Sequence, residues 1–299
     1  MKTLLILIKR NVKLFFKDKG MFFTALITPA ILLVLYATFL SNVYRDSFTA
    51  QLPPDVLPDA TLVDALVGGQ LVSSLLAVCC VTVAFCANFL MVQDRASGTV
   101  KDLRISPLSP STLSLGYYLA TLLSTLTICL IATALCFGYL AAVGWYLSAA
   151  DVLCILLDVV LLSLFGTALS SVINFFLSTQ GQISAVGTVI SAGYGFICGA
   201  YMPISSFASG LQKVLVFLPG TYATALLRNH AMGGVLEQMG VDGMPASVVD
   251  TLRDTLDCNL YFFGSRVEVP VMYAVLGGAI ALLLAAYILM NRLRNKKAG

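Results

Sequence analysis

The chain is poor in charge. Asp, Glu, Lys and Arg make up 11% of its 299 residues and are missing altogether from 21–44, 65–93, 105–150, 159–212 and 269–291. A soluble domain carries about a quarter charged residues, so a sizeable soluble catalytic unit is excluded. The single histidine, His230, has no Cys, Glu or second His at helical spacing around it. Metal-donor sets and Ser/His/Asp arrangements are therefore excluded, and His230 reads as an interfacial polar residue. A Gly-Lys-Ser/Thr phosphate loop is absent, so the chain itself does not hydrolyse ATP. The acids are dispersed, which leaves no paired carboxylates for acid–base work.

What fills the uncharged stretches is apolar, with 59% of the residues hydrophobic. A helix rises about 1.5 Å per residue and a bilayer core is roughly 30 Å thick, so about 20 apolar residues span it. The predicted spans are six, near 21–40, 67–92, 113–142, 152–176, 183–201 and 269–290. Strands of a membrane barrel alternate in polarity and these runs do not, so the expected fold is an all-α integral membrane protein.

Most of the 18 basic residues fall on one side of these spans. Lys2, Lys9, Arg10, Lys13, Lys17 and Lys19 precede the first, Arg95, Lys101 and Arg104 follow the second, and Arg292, Arg294, Lys296 and Lys297 follow the last. The positive-inside rule puts that side, and both termini, in the cytoplasm of a cell inner or plasma membrane. The net charge of +3 reflects this topology and anionic membrane lipid, with no nucleic-acid partner expected. Residues 1–20 do not read as a signal peptide, because Lys9 and Arg10 interrupt a short apolar stretch. With Lys9, Lys13 and Lys17 on one side and Leu5, Ile8, Val12, Phe15 and Phe16 on the other, they predict an amphipathic helix lying in the interface. Seven of the eight cysteines lie in apolar spans, where a thiol acts as a small hydrophobe, and no disulfide framework is expected.

Two segments outside the spans stand out. The mixed-charge island from Gln93 to Pro107 predicts a short helix stopped by Ser106-Pro107, within a segment 93–112 on the basic side. Residues 202–268 predict an outer, membrane-abutting cap, in which Pro203 and Pro219 bracket an apolar helix too short to cross, giving a re-entrant helical hairpin before the last span. Val67-Gly68-Gly69-Gln70 echoes an ATPase signature loop but leads into a span, and Gly193-Tyr194-Gly195 echoes a potassium filter but sits within an apolar helix. In the fifth span Gly187, Ser191, Gly195 and Gly199 recur every four residues, which lets another helix approach closely. Asp158 is the one carboxylate well inside a span and needs a partner; hydroxyls of Thr121, Ser124 or Thr125, or water, are the expected ones.

The island QDRASGTVKDLRISPLSPSTLSLGYYLA and the stretch GAYMPISSFASGLQKVLVFLPGTYATALLR resemble the membrane subunits of ABC-2 type exporters, and the order of elements does so over nearly the whole chain. Asp94, Arg95, Gly98, Thr99, Leu103 and Pro107 match that family's pattern between spans two and three, and Pro203, Pro219, Thr221, Tyr222 and Arg228 match its second pattern. Gln93 departs from it, an acidic residue being common there, and the outer stretch 233–268 is longer than in the simplest members. The resemblance implies one transmembrane domain over 1–299, working as a permease that moves a hydrophobic or amphipathic drug, lipid, peptide or glycan precursor outward. It implies a separate ABC ATPase subunit that holds ATP and Mg, with no cofactor on this chain, and a second permease subunit, identical or paralogous. It assigns ATPase coupling to Asp94, Arg95, Gly98, Thr99, Asp102 and Leu103, with Lys9 and Lys13, and the substrate path or dimer interface to Gly187, Ser191, Tyr194, Gly195, Gly199 and Asp158. The alternatives are a self-sufficient carrier or channel, which would show ionisable residues along its spans, and a structural or immunity membrane protein.

Overall fold

The computed structural model describes residues 2–35, 38, 42, 45–46, 59–105 and 109–296. The last part of the first expected span, Ser106, Pro107 and Lys297 lie outside the described residues. The helices are α1 (Lys2–Lys17), α2 (Lys19–Leu35), α3 (Ala60–Ala96), α4 (Thr99–Ile105), α5 (Pro110–Val143), α6 (Ala149–Asn174) and α7 (Gln180–Ile197). A 3₁₀ turn (Ile204–Ser206) leads to α8 (Ser209–Leu215), α9 (Pro219–Val241) and α10 (Ala246–Thr255). The strands β1 (Leu260–Phe262) and β2 (Ser265–Val267) follow, and α11 (Val269–Lys296) ends the chain.

The 37-residue α3 is apolar on all sides, and such a helix has to be enclosed by lipid or by protein. Enclosed it is: every residue of its most apolar 18-residue stretch is buried. Its neighbours are α5, α6, α9, α2 and α7. Among the described residues four helices, α3, α5, α6 and α11, are long and apolar enough to cross a membrane, and the count is five if α1 and α2, bent by 74° at Asp18, form one broken span. The chain is thus a mostly helical, multi-pass membrane protein. The 18-residue α7, which carries Gln180, Gln182, Ser184 and Thr188, is not among those spans.

Contacts sort the helix ends into two sets. The basic end gathers Arg10 of α1, Asp94 of α3, Tyr117 of α5 and Asn291 of α11. The far end gathers the starts of α3, α6 and α11 with α9, through Gly69 against Ala231, Gly234 against the Tyr146 carbonyl, and Asp158 against Tyr273.

Three details depart from the sequence-based expectation. First, α1 packs its stripe Leu7, Asn11 and Phe15 against the bundle, Leu7 seating on Gly116 of α5, while Leu5 and Ile6 are exposed. The buried stripe is rotated from the expected one because α5 and α3, rather than the interface alone, receive it. Second, the 23-residue α9, expected as part of an outer cap, is buried along most of its length among α3, α11 and α6. Third, the described chain is not wholly helical, since β1 and β2 form an antiparallel hairpin. Its turn uses positive φ at Phe263 and Gly264, 49° and 90°, the geometry of a tight hairpin.

Gly69 is one of several close helix contacts at which space decides. A Cβ there would lie 2.7 Å from Met232 Cγ and 2.8 Å from the Ala231 carbonyl, whereas at Gly138 of α5 it would meet nothing within 4 Å. Gly69→Ala is expected to destabilise by about 1–3 kcal/mol through overpacking. Gly138→Ala is expected to be neutral or to gain up to about 1 kcal/mol from helix propensity. Thermal unfolding of the purified variants in detergent checks the sign at both positions.

Candidate functional site

At the basic end, the last turn of α3 carries two neighbouring charges aimed at different partners. Asp94 is buried and accepts from Arg10 Nη1 at 2.6 Å and Nη2 at 3.3 Å, and from Tyr117 Oη at 2.5 Å. The hydrogen bond to Asp94 holds the Arg10 guanidinium above its already high ordinary pKa. Arg95 Nη1 donates to the carbonyls of Asn174, Phe175 and Leu177 at 3.3, 2.9 and 2.5 Å. Those carbonyls lie at and just beyond the end of α6, where a cation also complements the helix dipole. The end of α3 is thereby clasped to α1, α5 and α6 at once.

From this clasp α4 departs at Gly98, whose φ of +84° is a conformation that glycine adopts freely. Val100 and Leu103 pack against Leu7, Met91, Leu113 and Tyr117. Thr99 bonds the Ser97 hydroxyl at 2.9 Å. The opposite face presents Lys101, Asp102 and the 85%-exposed Ile105, with Lys9 and Lys13 exposed on nearby α1. The residues expected to meet an ATPase thus divide: Asp94, Arg95 and Leu103 hold the helix in place from within, and Asp102, Lys9 and Lys13 face outward. Arg10, in the sequence only one more positive charge, is the clasp's missing member; its neighbour Asn11 in an otherwise apolar stripe was the one signal.

At the far end Asp158 is 2% exposed, and both its oxygens are engaged. His230 Nδ1 lies 2.7 Å from Oδ2, and Tyr273 Oη donates to Oδ1 at 2.7 Å. The expected partners Thr121, Ser124 and Thr125 are not among them. Thr121 and Ser124 instead line a small recess with Asn11, Phe15 and Tyr117 towards the basic end. Burial of α9 brings His230 to Asp158, and α11 brings Tyr273, so His230 is an internal partner and not an interfacial residue. Asp151, about two turns earlier, closes a capping box with Ser148.

Nearby, Arg228 is 1% exposed, pairing with Asp257 Oδ2 at 3.0 Å and donating to the Gly199 carbonyl at 2.7 Å. Asp257 also accepts from the backbone N–H groups of Ile204 and Ser205. Burial pushes the Asp257 carboxyl above its ordinary range, against the pull of Arg228 and those two amides. Its positive φ of 52° is part of the turn that aims it inward. All eight cysteines are free, and burial raises the Cys258 thiol to about 12.

Between α2, α3 and α7 runs a groove of about 1040 Å³, from Asp18 and Gln93 at the basic end to Phe196 and Tyr201. Of the small residues expected on a path or interface, Gly187 and Ser191 line it. Phe89 rests on Gly187, and the Tyr201 ring covers Gly195. Gly199, at φ +75°, makes the turn against Ile204. Tyr194 is buried against Gly220, and Asp158 lies with α9 and α11, outside this groove's lining. The stripe is therefore largely occupied by the chain's own side chains.

Removing one partner of a buried ion pair leaves an uncompensated charge, which costs about 3–5 kcal/mol, whereas replacing both is often near neutral. Arg228→Leu alone is expected to lower stability on that scale, and Arg228→Leu with Asp257→Leu to recover part of the loss. Denaturation midpoints of the two variants in detergent check the order.

A family model described as ABC-2 type transporter matches residues 2–231, which takes in α1, the clasp, the groove and most of α9. No curated protein matches the sequence. With that match covering well over half of its length, the chain belongs to the ABC-2 type transporter family, as its membrane domain.

Proposed function

We propose that the chain is the permease subunit of an ATP-driven exporter, moving a hydrophobic or amphipathic substrate through the groove between α2, α3 and α7. The observation that carries this reading is the position of that groove: its lining reaches Asp18 and Gln93, at the same end of the bundle as the exposed face of α4. In this reading the basic end is cytoplasmic, in agreement with its lysines and arginines. Six crossings are then α2, α3, α5, α6, α7 and α11, with α8 and α9 re-entering from outside.

Coupling falls to the outward face of α4 and to α1, against a separate ATPase subunit that binds ATP and Mg. The Asp94 and Arg95 clasp supports this division of labour, because a push on α4 reaches α1, α3 and α5 through the packing of Val100 and Leu103, and α3 passes it to α6 through the hydrogen bonds of Arg95. A second permease subunit would close the groove from its open side, with Thr188, Ser191 and Ala192 of α7 near the seam.

A self-driven carrier is the second reading, favoured by the buried Asp158–His230 pair, a place where a proton could reside. Reconstitution separates the two. The chain with its ATPase is expected to transport on ATP addition and not on a proton gradient alone; the carrier reading expects the reverse.

The coupling surface has its own test. Lys101→Ala with Asp102→Ala alters exposed side chains, so folding is expected to be unchanged while ATP-driven transport falls about tenfold, the scale of one lost interface hot spot. Arg95→Ala, by contrast, is expected to lower the thermal midpoint as well, since it strips α6 of its cap. Transport assays paired with melting curves check both; full transport in the double variant would put the docking surface elsewhere.

A further inference from the structure

The groove's lining also bears on the charge of what it accepts, an inference that rests on its being the substrate path. Among the described residues that line it, Asp18 is the one side chain charged at neutral pH, and no Lys, Arg or His contributes. Two of the three α7 hydroxyls that line it donate within the helix. Ser184 Oγ donates to the Gln180 carbonyl at 3.2 Å and Thr188 Oγ1 to the Ser184 carbonyl at 2.9 Å. Tyr201 Oη likewise donates to the Ser191 carbonyl at 3.3 Å. A hydroxyl has one hydrogen, so these three have only lone pairs left to offer a ligand.

The aromatic lining adds the same sign. Phe89, Phe196 and Tyr201 border the groove, and the face of an aromatic ring is electronegative. Lys17 and Lys19 flank Asp18 in sequence and offset part of its field at that end, so the acceptors and rings further along carry the discrimination. A phosphate or carboxylate entering here would leave its hydration shell and find only uncharged side-chain donors, the Ser191 hydroxyl and the Gln93 amide, which offset little of the desolvation cost. We propose that the groove selects amphiphilic organic cations, an apolar body with an ammonium-class charge, and disfavours anionic lipids and phosphate-linked glycans.

The probes are tetraphenylphosphonium and tetraphenylborate, alike in shape and opposite in charge. Their binding to the full chain in zwitterionic lipid nanodiscs is measured by equilibrium dialysis, with empty nanodiscs subtracted. Ala192→Trp fills the groove from α7 and Ser184→Trp does so independently, each used only if its melting midpoint matches the parent's.

The phosphonium is expected to bind saturably, at least about tenfold tighter than the borate, and to be lost in both filling variants. Asp18→Asn is expected to weaken it about threefold, as for one partly screened charge. Borate that binds as tightly as the phosphonium, and is lost on filling, overturns the charge selection and leaves the groove as a binding site. Phosphonium binding that is absent, or that ignores both filling variants, overturns the groove reading and the selection with it.

Discussion

The enclosure of α3 is the constraint from which the architecture follows. A 37-residue helix with no polar face is stable in a bilayer, but once its residues are small and closely approached, as at Gly69, it becomes a post around which others pack. Five helices surround it, and α9 has to be drawn into the bundle at the far end to complete the enclosure. That step in turn buries Arg228, which requires Asp257, and His230, which finds Asp158. Polar chemistry at the far end is a consequence of closing the apolar one.

At the opposite end the same helix terminates in Asp94 and Arg95, and adjacency does the work. Consecutive residues on a helix point about 100° apart, so one reaches α1 and α5 while the other reaches the end of α6. A rigid post clasped on two sides at its base can tilt as a unit. The groove lies along that post, with Cys86, Phe89 and Gln93 contributed by α3 itself, so a tilt changes the groove's width directly.

Much of this was legible in the sequence. Uncharged runs longer than a bilayer is thick announced the long helices, and Pro203 and Pro219 marked a real turn and a real helix start. Hydropathy could not distinguish lipid from protein as the apolar neighbour, which is why α9 read as a cap and α3 as one span among six. The partners of Asp158 are 72 and 115 residues away and those of Asp94 include one 84 residues away, beyond the reach of any local pattern. The direction of the motif residues was not legible, because Asp94 and Arg95 read the same pointing inward as outward in a one-dimensional string.

The central claim is that the groove between α2 and α7 is a transport path worked by ATP. Spin labels at Ile31 on α2 and Thr188 on α7, both exposed and lining it, report its width by pulsed distance measurement in the complex with the ATPase subunit. The account predicts that the distance distribution shifts between the nucleotide-free and the vanadate-trapped states. An unchanged distribution, in a complex that still hydrolyses ATP and transports, would contradict it.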